Sequence, residues 1–125
     1  MMGWMPFFIS TTRIFTAAHA LKLYDGAMEP LHGHNWRVRV TVESKELDAI
    51  GVVMDFHELE RLVDAIIRPW QNHNLNESAE FAQLNPTAEH VALTIARGLH
   101  LPGEARLSSV EVWETDENRA VYRPT

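Results

Sequence analysis

The chain has 125 residues, 46% of them hydrophobic, with 11 basic and 17 acidic residues and a net charge of −6. That length fits one domain with a modest core. The acidic balance, with no Lys/Arg cluster, argues against a nucleic-acid backbone as partner, because neutralising phosphates needs clustered cations. Cysteine is absent, which excludes disulfides, thiolate metal sites and thiol nucleophiles.

The first ten residues are apolar but short, and they lack the basic leader and cleavage pattern of an export signal. No run reaches the roughly 18 apolar residues of a membrane span, so a soluble, cytoplasmic protein with no membrane partner is expected. Residues 13–18 are β-prone. Residues 21–31, with Gly26 and Pro30, read as a loop. Strict alternation follows: Trp36, Val38, Val40 and Val42 share one face of a strand, and Arg37, Arg39, Thr41 and Glu43 the other. Asp55 with Glu58 three residues on reads as a capping box. It opens an amphipathic helix through Phe56, Leu59, Leu62, Val63, Ile66 and Ile67, which Pro69 stops. A polar segment, 71–77, separates it from a second helix. That helix is expected to open at Asn85, Pro86 and Thr87, with the proline just inside it, and to carry the stripe Ala88, Val91, Ala92, Ile95 and Leu99. Gly98, Pro102 and Gly103 close it. Residues 107–115 read as a third strand and 120–123 as a short fourth. The order β-β-α-α-β-β predicts an α+β domain, residues 1–125, with an antiparallel sheet carrying both helices on one face.

His32 and His34 lie two apart around Gly33, so in extended backbone both point to the face of Trp36. Two imidazoles at the edge of an apolar face form a candidate metal pair. His19, ending the first strand, becomes a third ligand if the two strands pair. Three neutral histidines leave zinc an open position, where bound water has a pKa of about 7. Glu114 continues the alternation of Val110 and Val112 and therefore faces inward, where a carboxylate needs a hydrogen-bonding partner. Glu89 falls in the first turn of the second helix, where an acidic side chain favours the helix dipole. Glu29, between Met28 and Pro30, reads by itself as a solvated loop residue. His57, His90 and His100 read as ordinary helix or loop residues.

The strings Phe15-Thr16-Ala17-Ala18-His19 and Leu31-His32-Gly33-His34-Asn35 resemble the zinc motifs of the 6-pyruvoyl- and 6-carboxy-tetrahydropterin synthase family. The likeness continues through Asp55-Phe56, Asn85-Pro86-Thr87-Ala88-Glu89 and Glu114-Thr115 to Tyr122. The resemblance implies the tunnelling fold, trimers that close a barrel, two trimers stacked into a homo-hexamer, and active sites at subunit interfaces. It implies Zn2+ on His19, His32 and His34, a small-molecule pterin substrate, and Glu89, Glu114 and Thr87 as pterin-binding residues. In this reading Glu114 contacts the amino-pyrimidine edge, with Glu89 nearby. A carboxylate suits that edge because it accepts two parallel N–H bonds.

Two departures from the family pattern bear on the reaction. The family usually has a Cys four residues before the first His of His-Gly-His, where this chain has Met28. Aligning on Leu75-Asn76 puts Gln71 and Asn72 where the family has Asp-His, and His73 falls one residue late. The usual Cys-Asp-His relay is therefore missing. Glu29-Pro30-Leu31-His32-Gly33-His34 matches a subgroup with Glu-x-x-His-Gly-His, whose members resemble folate-pathway enzymes that leave a 6-hydroxymethyl pterin. The expected activity is thus a zinc-dependent lyase or synthase acting on the C6 side chain of 7,8-dihydroneopterin triphosphate or a related pterin, with Glu29 as acid–base and His73 as the other catalytic candidate. The alternatives are 6-carboxytetrahydropterin formation for the queuosine pathway, 6-pyruvoyl-tetrahydropterin formation, and a pterin- or purine-binding protein without catalysis.

Overall fold

The structure is a computed structural model that describes residues 6–124, so the start of the apolar N-terminal stretch lies outside the described residues. Strand β1 (Phe7–His19) pairs antiparallel with β2 (His32–Ser44) along its whole length, from Phe7 opposite Ser44 to His19 opposite His32. β1 begins six residues before the β-prone stretch read in the sequence and ends, as expected, at His19. The alternation read in β2 holds: Trp36, Val38, Val40 and Val42 are fully buried. The segment between the strands is a narrow hairpin. Leu23 N–H donates to Ala27 O at 2.7 Å, and Gly26 takes the positive φ of 86° that the turn requires.

Helix α1 (Phe56–Ile67) buries Leu59, Val63 and Ile67. Its cap is Asp55, whose carboxylate accepts from His57 N–H, one residue earlier than the capping box with Glu58 would have it. Arg13 of β1 makes a two-point pair with Asp64 of α1, at 2.8 and 2.6 Å, which fixes the helix over that strand. A single 3₁₀ turn, Arg68–Trp70, holds Pro69 and buries Trp70.

The polar segment after it is not plain loop. Strand β3 (His73–Asn74) lies parallel to β1, with Ala17 opposite His73. Two residues carry no periodicity, so this strand has no signal in the sequence. It makes the sheet mixed rather than purely antiparallel. Helix α2 (Ala88–Gly98) buries Val91, Ala92 and Ile95, and starts later than expected. Thr87 is the cap, its hydroxyl accepting from His90 N–H at 3.0 Å, so Pro86 precedes the cap instead of sitting inside the helix. β4 (Arg106–Trp113) and β5 (Arg119–Tyr122) complete the order β3-β1-β2-β4-β5.

The buried faces of α1 and α2 meet the sheet face formed by Phe15, Ala17, Trp36, Val38, Val40, Val110 and Val112. Phe15, Trp36, Trp70 and Phe81 form an aromatic wall at the end of this core, with Phe15 stacked on Trp36 at 5.8 Å between ring centres. Among the described residues no helix is long and apolar enough to cross a membrane.

Candidate active site

The aromatic wall supports three histidines. β1 ends at His19 and β2 begins at His32, and the two residues are register partners. His34 follows one full alternation later on the same face. The three rings pack edge to face, with centres 4.7, 5.0 and 4.9 Å apart, and His19 and His34 also lie edge-on to Trp36. One ligand atom from each lies within 4.8 Å of the others. The expected pairing of His19 with the His-Gly-His strand is therefore observed.

Backbone carbonyls orient two of the rings. His19 Nδ1 is 2.8 Å from Pro86 O, and His32 Nδ1 is 2.8 Å from Pro30 O. A carbonyl only accepts, so each Nδ1 carries the proton and each Nε2 presents a lone pair. This is the arrangement metal-binding histidines use, the second ring nitrogen setting the tautomer of the first. His19 is 1% exposed, and Nε2 of both His19 and His34 is buried without a hydrogen-bond partner. Burial pushes the His34 imidazole below its ordinary pKa, against the opposing pull of Glu114, which favours the neutral, ligating form. Unpartnered buried nitrogens cost free energy, and a cation shared among them removes that cost. The donor set suits zinc, which takes three imidazoles and keeps a fourth position open.

Three carboxylates were singled out in the sequence. Glu114, just past β4, turns inward as its register required. Its Oε1 is 3.0 Å from His19 Nε2 and 3.8 Å from His34 Nε2, yet off the direction a hydrogen bond needs. Glu29 closes the hairpin between β1 and β2. Its backbone N–H donates to Leu21 O at 2.9 Å, its carboxylate accepts from Leu21 N–H at 3.0 Å, and the same Oε1 lies 3.9 Å from His32 Nε2. Glu89 is exposed in the first turn of α2, two residues beyond the cap Thr87. The structure thus brings Glu29 and Glu114 to the histidines, while Glu89 remains on the surface one turn from Pro86.

His73 lies outside the histidine group. It is exposed on β3, its Nδ1 bonded to Gln71 O at 2.7 Å. Met28 is more than half exposed on the hairpin. Gln71 and Asn72, aligned with the family's Asp-His, are engaged with the β1 backbone. Gln71 Oε1 accepts from Thr16 N–H at 3.0 Å. Asn72, at a φ of 60°, donates its N–H to Thr16 O at 2.6 Å.

Two residues at the site went unread as such in the sequence. Asn76 brackets Ala20, its Oδ1 accepting from Ala20 N–H at 2.9 Å and its Nδ2 donating to Ala20 O at 2.7 Å. Asn85 does the same to Lys22, at 2.8 and 2.9 Å. Their partners lie 56 and 63 residues away, so no local pattern marks them. The only signal was their place in the strings Leu75-Asn76 and Asn85-Pro86-Thr87. A cleft of about 460 Å³ beside these asparagines is lined by Lys22, Leu23, Met28, Asn76, Phe81 and Asn85 among others, and by none of the three histidines.

Several known proteins are similar to this chain in sequence or in fold. The family model described as 6-pyruvoyl tetrahydropterin synthase matches residues 8–125. A dihydroneopterin monophosphate aldolase of Pyrococcus furiosus is 37% identical over 105 residues, covering 82% of this chain and 85% of that protein. A 6-carboxy-5,6,7,8-tetrahydropterin synthase of Synechocystis is 38% identical over 113 residues, covering 86% of each. The solved 6-pyruvoyl tetrahydropterin synthase of Plasmodium falciparum superposes with a TM-score of 0.76 over 94% of this chain and 97% of that one, at 17% identity, a likeness of fold. With a family match over nearly the whole chain and relatives 37% and 38% identical over most of their length, the chain belongs to the 6-pyruvoyl tetrahydropterin synthase family.

Proposed function

We propose that the protein is a zinc-dependent lyase that cleaves the C6 side chain of a phosphorylated 7,8-dihydroneopterin and leaves a 6-hydroxymethyl pterin. The observation that carries this reading is Glu29, a carboxylate tethered to Leu21 N–H and 3.9 Å from His32 Nε2 at the rim of the histidine cluster, in a chain without cysteine. The name of the Pyrococcus furiosus relative, an aldolase acting on dihydroneopterin monophosphate, supports side-chain cleavage.

Zinc held by His19, His32 and His34 would supply Lewis-acid stabilisation of negative charge on a side-chain oxygen. Glu29 takes the proton of the hydroxyl on the second side-chain carbon. As that oxygen becomes a carbonyl, the bond between the first and second side-chain carbons breaks and the outer fragment leaves as an aldehyde. Glu29 returns the proton to the carbon left on the ring, which keeps the bond's electron pair. Its bond from Leu21 N–H holds the carboxylate in place, and a positioned base of this kind contributes typically about 10²–10⁴-fold. Met28, Gln71 and Asn72 do not titrate near neutrality and cannot replace it. His73, exposed on the sheet edge, is a second acid–base candidate where a neighbouring subunit completes the site.

Glu114 and Glu89 divide the remaining work. The C6 side chain and the amino-pyrimidine edge lie at opposite ends of a pterin. Glu114 Oε1 is 3.0 Å from His19 Nε2, a candidate ligand, and on that distance we assign it to the reacting end in place of the amino edge that the resemblance implies. Glu89, beside the cap Thr87, is then left for the amino-pyrimidine edge.

The test is chromatographic. Wild type and Glu29→Ala are loaded with zinc, incubated with dihydroneopterin monophosphate and triphosphate, and their products identified. A 6-hydroxymethyl pterin from wild type and a loss of roughly 10²-fold or more in Glu29→Ala are expected. A 6-carboxy or 6-pyruvoyl product overturns the assigned reaction. Full activity in Glu29→Ala removes Glu29 from it, and bound but unchanged pterin assigns the protein to a binding role.

A further inference from the structure

His19 is the most deeply buried of the three histidines, and its tautomer depends on a single acceptor, Pro86 O, at 2.8 Å. That acceptor lies in a turn with its own anchorage. Pro86 has no N–H, so its peptide unit is held through its neighbours. Asn85, immediately before it, makes two side-chain bonds to the backbone of Lys22, three residues after His19. The Asn85 carbonyl accepts from His90 Nδ1 at 2.7 Å and from Thr87 N–H at 2.9 Å, which ties the turn to the first turn of α2. These contacts close a ring: His19 ring, Pro86 carbonyl, Asn85 side chain, Lys22 backbone, and the chain back to His19. Both sides of the ring must stay in register for the carbonyl to meet Nδ1.

We infer that Asn85 is a positioning residue for His19: its two-bond bracket to Lys22 holds the Pro86 carbonyl where it fixes the imidazole with Nε2 free. The inference rests on the metal reading above and extends it to a residue that touches neither metal nor substrate. Asn76, bracketing Ala20 from another segment, steadies the same stretch of chain but does not connect to the acceptor. Without the Asn85 bracket the Asn85–Pro86 turn keeps its ties to α2 but loses its tie to the His19 segment. The ring nitrogen then samples other orientations. Outer partners of metal-binding histidines typically contribute 10–100-fold in metal affinity.

The experiment uses the full chain, stripped of metal and titrated with Co2+ or Zn2+ against a chromophoric chelator. Asn85→Ala is expected to weaken binding by about 10–100-fold and to alter the visible absorption of the Co2+ form, which reads ligand geometry. Arg13→Gln, which removes the β1–α1 ion pair far from the turn, is the control for stability alone. It is expected to lower the melting temperature of the metal-free chain and leave affinity and spectrum as in wild type. If Asn85→Ala also melts earlier but keeps wild-type affinity and spectrum, its role is structural only and the inference is overturned. Asn85→Asp keeps the acceptor for Lys22 N–H and loses the donor to Lys22 O. It carries the same test if the alanine variant does not fold, with an intermediate loss expected and an unchanged affinity overturning the proposal. A wild-type chain that binds neither ion overturns the metal reading itself, a result distinct from a wild type that binds and an Asn85→Ala that binds equally well.

Discussion

Glu89 and Glu114 show how similar side chains acquire different work from their surroundings. Glu89 is in water at the start of a helix, while Glu114 shares an apolar face with two imidazoles. Calorimetry with an unreactive pterin separates them. Glu89→Gln, which loses a charged double acceptor, should weaken binding by about 1.5–3 kcal/mol. Glu114→Gln should bind pterin nearly as wild type does but turn substrate over slowly. Equal losses of affinity in both variants would place both carboxylates on the ring and undo the division. At this scale the sequence was informative wherever a period ruled. The two-residue alternation of β2 put His32, His34 and Trp36 on one face, and the same rule on β4 turned Glu114 inward. It was silent on the amide brackets of Asn76 and Asn85, because a bond between residues 56 or 63 apart leaves no trace in local spacing.

The second helix is the element on which the site depends most. Its cap Thr87 directly follows Pro86, the acceptor for His19, and its first turn carries Glu89 and His90. Thr87→Ala removes the hydroxyl that accepts from His90 N–H. A loss of about 0.5–2 kcal/mol in a denaturant titration is expected, together with weaker pterin binding, since Glu89 sits in the turn that frays. Unchanged stability would mean that the neighbouring bonds of Asn85 and Pro86 suffice to start the helix. Both helices and the two central strands were legible from their apolar periods. The start of α2 was misplaced by the preference of proline for the first helical position, and the structure resolves the competition in favour of the threonine cap. β3 escaped notice altogether, since two residues held beside β1 by Gln71 and Asn72 need no pattern of their own.

At the scale of the molecule the sheet is unfinished. β3 covers β1 only at Ala17 and Ala18, so the backbone edge of β1 before Thr16 has no strand beside it among the described residues, and Phe8 and Ile14 are exposed along it. The far edge, β5, is four residues long. Open edges of this kind are ordinarily covered or closed by pairing. We expect a homo-hexamer, a dimer of trimers, in light scattering at micromolar concentration. A monomer would overturn both that assembly and a site shared between subunits. The histidine cluster couples to the whole chain in another way. His19 is at once a wall of the core and a candidate ligand, so an ion held by all three histidines favours the folded chain over the unfolded one. Such an ion adds at most about 2.7 kcal/mol of stability at a hundredfold excess over its dissociation constant, less whatever it gains by binding histidines of the unfolded chain. Since the small unfolded fraction is what cellular proteases remove, scarcity of the ion would lower the amount of this protein as well as its activity, and its abundance would record the cell's metal supply.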